Sequence, residues 1–191
     1  MPQPILCASA SLLVIDVQQG FTIMEKRGRR RNNLDAIQII GELLNAFRHR
    51  NSKVVHIRHS SVEKNSLFRY NNEGFSVIPE AKEVTGEPVI LKSTNSSFIG
   101  TNLDSILRAS GVNTVIICGA TTNHCCETTA RMAGNMGYRT LFASDATWTF
   151  DLTCRDGTTI PAECVHEMTL ANLDGEFAEV LTAHKIIELL S

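Results

Sequence analysis

Apolar residues in this chain gather into six short runs separated by segments of helical period. LLVID (12–16), KVVHI (53–57), PVILK (88–92), TVIICG (114–119), RTLFAS (139–144) and a last run near 177–181 are continuous or β-branched, the pattern of strands covered on both faces. Between them apolar positions recur every three or four residues. Asn33 is placed to cap a helix carrying Ile37, Ile40, Leu44 and Phe47, and Thr101 one carrying Leu103, Ile106 and Leu107. A further helix runs through Ala130, Met132, Ala133 and Met136. Pro161 suits the first turn of another, reaching about 173 with Val165, Met168 and Ala171 inward, and a short terminal helix follows. Residues 59–86 are polar and irregular, too long for a plain connector, and are expected to form an active-site or subunit-contact loop.

Strand and helix alternate with no linker or repeat. This predicts a single domain over 1–191 of the α/β class, a three-layer α-β-α sandwich around a doubly wound, mainly parallel sheet of about six strands. Ligands of such sheets bind outside the carboxyl ends of the strands. Three chemistry-bearing residues sit there by sequence alone. Asp16 closes the first run, Lys92 closes PVILK, and Cys125 follows TVIICGATTNH. An acid, a cation and a thiol at one edge form a candidate site for nucleophilic attack.

Thr122 and Asn123 are N-cap types, so Cys125 is expected in a first helical turn, where unpaired N–H groups and the macrodipole favour a thiolate. A free thiol with a pKa of about 8.5 is only ~3% ionised at pH 7, and a drop of about two units makes it roughly three-quarters thiolate. The helix start and Lys92 are the candidate sources of that drop. Asp16 is placed to take the thiol proton and return it to a leaving amine, with Lys92 holding it. Backbone N–H groups around Thr121 and Cys125 are candidates for an oxyanion hole. Cys126 falls on a stripe with Ala130 and Ala133 and reads as core, as does Cys118 inside its strand. His56, His59 and His124 invite a dyad or a metal, but a structural or rim role is the expectation for all three.

Composition narrows the partners. The chain is 43% apolar and 20% charged, with a formal charge of -2, which gives no reason to expect nucleic acid or an anionic membrane. Its one basic run, residues 26–31, carries no interleaved aromatics and reads as a solvated loop or a contact to a neighbouring subunit. The start has no basic segment of the signal-peptide kind, and no window approaches the ~18–20 apolar residues of a membrane span. Six cysteines without scaffold spacing imply a reduced, cytosolic setting. With no CxxC and no HExxH, no metal or cofactor is expected.

Together these residues resemble the isochorismatase-like cysteine hydrolases, the superfamily of nicotinamidases, N-carbamoylsarcosine amidases and isochorismatases. The resemblance covers nearly the whole chain. It rests on LLVIDVQQGF (12–21), LKSTNSSFIGTNLDSILRASGV (91–112), VIICGATTNHCCETTARMAGNMGY (115–138) and FASDATWTFD (142–151). It implies Asp16, Lys92 and Cys125 as the catalytic triad. It also implies a cis peptide at Ala120–Thr121, with N–H groups of Ala120, Thr121 and Cys125 turned toward the substrate carbonyl oxygen. A small-molecule substrate and a homo-oligomer, dimer or tetramer, are implied as well. Phe21, Phe68, Phe98 and Trp148 are candidates to line the pocket.

Two departures bear on the substrate. Metal-dependent nicotinamidases of the superfamily carry an Asp-x-His pair after the second strand. HIRHSSVEKNSLF (56–68) has two histidines and no such spacing, which disfavours that activity. Isochorismatases that cleave a vinyl ether without a covalent step tend to lack the cysteine, so its presence favours acyl transfer at an amide-like carbonyl. Two alternatives stay open: vinyl ether hydrolysis with Asp16 as acid, and a non-catalytic oligomer switched by oxidation of Cys125 and Cys126.

Overall fold

The computed structural model describes residues 3–191. Its strands are β1 (Ala10–Ile15), β2 (Lys53–His59), β3 (Val89–Lys92), β4 (Thr114–Ala120), β5 (Arg139–Trp148), β6 (Leu152–Thr153), β7 (Thr159–Ile160) and β8 (Glu179–Leu181). Its α-helices are α1 (Gln19–Lys26), α2 (Ala36–His49), α3 (Leu103–Ala109), α4 (Glu127–Asn135), α5 (Ala162–Leu173) and α6 (Ala183–Leu189). Six strands form one sheet in the order β3-β2-β1-β4-β5-β8, every neighbouring pair parallel. β6 and β7 make a separate antiparallel hairpin. This is the α/β sandwich read from the hydrophobic runs. Among the described residues no helix is long and apolar enough to cross a membrane.

Period-two alternation divides each central strand between the two helical layers. Leu12 and Val14 of β1 pack with Ile40, Leu44 and Phe47 of α2 and Ile186 of α6. Leu13 and Ile15 face the other way, against Leu103 and Leu107 of α3 and Ala130 and Ala133 of α4. Strand order reverses at β1, which pairs with β2 on one side and β4 on the other. Such a reversal opens a crevice at the carboxyl ends. Asp16 follows β1 and Cys125 follows β4, so the two flank that point.

Local expectations shift in five places. α2 starts after Asp35 rather than at Asn33; Asn33 has φ +43° and its amide donates to the carbonyls of Ser144 (3.0 Å) and Thr147 (2.7 Å). Asn102 precedes α3, although the Thr101 hydroxyl still accepts from Leu103 N–H. On α5 the inward face is Ala162, Val165, His166, Thr169 and Leu173, and Met168 is exposed. Val165 faces inward as expected, but Ala171 is exposed like Met168, because the polar His166 and Thr169 occupy the inward face and break the hydrophobic period. β5 runs to Trp148, beyond a register shift opposite β4. α1 and the β6–β7 hairpin have too few apolar positions to announce themselves.

Gly119 ends β4 with φ +120°, and a Cβ there would lie 2.0 Å from the Ile15 carbonyl oxygen. Both the backbone angle and the approach to β1 exclude a side chain. Gly119→Ala is expected to cost about 3 kcal/mol or more in urea unfolding; a loss below about 1 kcal/mol, the scale of an ordinary glycine substitution, would contradict the close approach.

Candidate active site

Asp16 turns out of β1 with φ +52°, a left-handed conformation unusual for a residue with a side chain, and its N–H is held by the Ile57 carbonyl at 2.9 Å. Its side chain is 2% exposed, and that of Lys92, from the end of β3, is 0% exposed. Lys92 Nζ donates to Asp16 Oδ2 at 2.7 Å, to Cys125 Sγ at 3.2 Å and to the Thr94 carbonyl at 3.1 Å. One ammonium from the end of β3 thus bridges a carboxylate that follows β1 and a sulfur that follows β4. Asp16 Oδ1 meets no hydrogen-bond donor.

Cys125 does not sit in a first α-helical turn. The Ala120–Thr121 peptide is cis, and Thr122–Cys126 then form one wide turn of π-type winding before α4 begins at Glu127. Two histidines brace this segment. His124 Nδ1 lies 3.0 Å from the Thr121 hydroxyl, and the buried His166 Nδ1 lies 2.9 Å from that of Thr122. Cys126 is fully buried against Ala130 and Ala133, Cys118 is fully buried in the opposite layer, and all six cysteines are free thiols.

The electrostatics reverse one expectation. The Cys125 thiol is pushed up to about 12, by burial first and then by the Asp16 carboxylate, with Lys92 opposing. The resting group is therefore a thiol, not the thiolate that the helix-start argument predicted. Burial also works against the Lys92 charge, but the Asp16 carboxylate opposes it and the pKa is held above the usual lysine value. The ammonium stays charged.

The site opens into a pocket of about 250 Å³ lined by Asp16, Phe21, Phe68, Cys125 and Phe150, among others. Phe21 and Phe68 meet there with ring centroids 4.7 Å apart. Phe98 and Trp148 do not reach the wall. Phe98 is half-buried, stacking on Tyr138 at 5.9 Å against the core on the α3–α4 face. Trp148 is fully buried behind Phe21, edge-on at 6.0 Å. His59 and His124 do line the pocket, whereas His56 is buried beside Glu87 at 2.8 Å. The carboxylate partner that no nearby residue offered His56 comes from a turn 31 positions on. Nothing in the local pattern separates His59 from His56. The end of β2 brings it to the site, where Gln18 clamps its backbone N–H and C=O at 2.8 and 3.1 Å.

Asp16, His59 and Cys125 each present a ligand-type atom within 4.8 Å of the others, a donor set of the kind zinc accepts. Lys92 Nζ already bonds two of the three, so a fixed cation holds the position a metal would compete for. Burial lowers the pKa of His59, with Asp16 opposing and Lys92 assisting, and burial lowers those of His56, His124 and His166.

Comparison with known proteins agrees with the architecture. An isochorismatase domain matches residues 10–185. The chain is 40% identical over 177 residues to the isochorismatase family protein YrdC of Bacillus subtilis, covering 93% of this chain and 94% of that one. It is 35% identical over 190 residues to Nicotinamidase 3 of Arabidopsis thaliana, covering 93% and 86%. A crystal structure of an isochorismatase family protein from Chromobacterium violaceum superimposes with a TM-score of 0.91 at 41% identity, covering 99% and 98%. Fold and relatives together define a hydrolase. The chain belongs to the isochorismatase family.

Two measurements follow. Alkylation rate tracks the thiolate fraction, so limiting iodoacetamide at pH 7 is expected to label the exposed Cys164 ahead of Cys125; preferential labelling of Cys125 would show a resting thiolate instead. The four histidines whose pKa is depressed in the fold remain neutral while the unfolded chain takes up protons below a pH of about 6.5. Their contribution is complete above that pH and is lost as pH falls through the folded values. Unfolding free energy is expected to decline from pH 7 to pH 5, and a flat profile there would contradict their depressed pKa values.

Proposed function

We propose that the protein is a metal-independent cysteine hydrolase of a small amide-like C–N bond, acting through a thioester. The observation that carries this reading is the single ammonium of Lys92 bonded to both Asp16 and Cys125 at the floor of the pocket. Cys125 Sγ attacks the carbonyl carbon as its proton passes to the free Oδ1 of Asp16. A raised thiol pKa suits a nucleophile that is deprotonated only as it attacks. The C–N bond breaks, and the amine or ammonia leaves with the proton from Asp16. Water then attacks the thioester, giving a proton to Asp16, and the C–S bond breaks to restore the thiol. The carbonyl oxygen receives hydrogen bonds from backbone N–H groups around Ala120, Thr121 and Cys125.

A relative named for nicotinamide hydrolysis supports an amide as the substrate class. The reading includes a homo-oligomer, dimer or tetramer, and a cytosolic setting that suits six free thiols.

Cys125→Ala is expected to lower kcat/KM on a turned-over amide by about 10³-fold or more, whereas Cys126→Ala, which removes a core thiol, is expected to cost about 1–2 kcal/mol of stability and keep most activity. The reverse pattern would overturn the assignment. Intact-mass analysis during turnover is expected to trap an acyl adduct on Cys125. Activity on isochorismate retained in Cys125→Ala would favour non-covalent ether hydrolysis instead.

A further inference from the structure

The basic run at 26–31 forms part of the pocket rather than a purely solvated loop. α1 ends in a paired backbone cap: Gly28 N–H donates to the Glu25 carbonyl at 2.8 Å and Arg29 N–H to the Met24 carbonyl at 3.1 Å, with Gly28 at φ +91°. This is the Schellman arrangement, in which a glycine reverses the chain at no steric cost. It fixes the backbone of Arg29 at the pocket mouth.

The three arginines that follow the glycine then diverge. Arg30 forks onto Asp151 at 2.8 Å and Glu163 at 2.7 Å. Arg31 is buried 2.9 Å from the Glu25 carboxylate, donates to the Asn33 carbonyl at 2.7 Å, and lies over the Trp148 ring. Both are committed to the fold. Arg29 differs. Its guanidinium lies 4.9 Å over the face of Phe150, and its one side-chain hydrogen bond is a long 3.4 Å contact to the Asp151 carbonyl. Among the described residues it has no carboxylate partner, and both Arg29 and Phe150 line the pocket that contains Cys125.

The charge inventory of that pocket is uneven. Asp16, its one carboxylate, is neutralised by Lys92. The positive charge of Arg29 has no counter-ion, and the wall between is aromatic, from Phe21, Phe68 and Phe150. A guanidinium placed over a ring face, with one long hydrogen bond to a carbonyl, leaves most of its N–H donors open to a planar acceptor, and carboxylate matches the guanidinium fork in a bidentate way. Stacking on Phe150 also limits the rotamer freedom lost when the acceptor arrives.

We propose that Arg29 is the anion anchor of this pocket, so that the preferred substrate is an amide bearing a carboxylate on a flat or apolar body, at the end away from the scissile carbonyl. This rests on the amide-hydrolase reading above. Hydrolysis of such a compound releases ammonia or an amine and leaves a dicarboxylate.

Matched probes separate the two claims. 4-Carbamoylbenzoate against benzamide, and succinamate against propionamide, differ in the carboxylate. Wild-type enzyme is expected to show a kcat/KM ratio of tenfold or more in favour of the anionic member of at least one pair. In Arg29→Gln that ratio is expected to fall to within about twofold of one, through KM. Arg29→Lys is expected to restore part of it, and added salt to reduce it. Calorimetry on Cys125→Ala reads the anchor without chemistry: the carboxylate-bearing amide is expected to bind at least tenfold more weakly when Arg29→Gln is added. Arg29-dependent binding with no amide turnover would sink the hydrolase reading and spare the anchor. Equal binding with and without Arg29, or no binding of either anionic probe at millimolar concentration, would overturn the anchor.

Discussion

The buried ion pair of Lys92 and Asp16 is the interaction on which the site depends. Removing two charges from water costs several kcal/mol per ion, and the pair survives only because the geometry is good and the remaining bonding capacity is used. Lys92 spends its three donors on Asp16 Oδ2, Cys125 Sγ and the Thr94 carbonyl. Asp16 keeps one oxygen without a donor. That asymmetry leaves one buried acceptor of the pair without a partner, in a cluster where an Asp16 oxygen and Cys125 Sγ lie within 4.8 Å of one another.

The pair also explains why the thiol rests protonated. Asp16 and burial disfavour a second anion at Cys125, and Lys92 only partly offsets them. A helix start supplies less help than expected, since the residue occupies a wide π-type turn ahead of α4. The proposed thioester reaction would then couple proton transfer to attack rather than start from a standing thiolate. A thiol with a raised pKa is also less open to adventitious oxidation than an exposed low-pKa one.

The backbone delivers these groups through the reversal of strand order at β1. Leu12 to Ile15 are covered on both faces, so β1 is fixed between two packed layers and its last residue cannot drift. Gly119 permits β4 to approach the Ile15 carbonyl closely enough to set the Cys125 turn against Asp16. His124, within the turn, and His166, from α5, then hold it through contacts to Thr121 and Thr122. The pocket wall is assembled from α1 and the residue runs that follow β2, β3, β4 and β5, places far apart in the chain.

Much of this was legible in the residues. Continuous apolar runs specify strands buried on both faces, and their alternation with helical-period segments specifies a parallel sheet, whatever the rest of the chain does. Asp16, Lys92 and Cys125 were identifiable because each directly follows or closes such a run, and a parallel sheet gathers strand ends on one edge. Cys126 was separable from Cys125 because one helical step rotates a side chain toward the core. What the sequence left open depends on direction rather than residue type. Phe21 and Phe68 face the pocket while Phe98 and Trp148 pack away from it, although Phe21 and Phe98 both follow the strand ends that carry Asp16 and Lys92. His59 reaches the site and His56 does not, three residues apart on one strand. The ionisation of Cys125 depends on burial and on a carboxylate more than one hundred positions away in the chain, and the role open to Arg29 depends on which arginines the fold has already paired. Period and residue type are local properties carried by the chain itself, whereas dielectric, facing and charge balance exist only once distant segments are packed together.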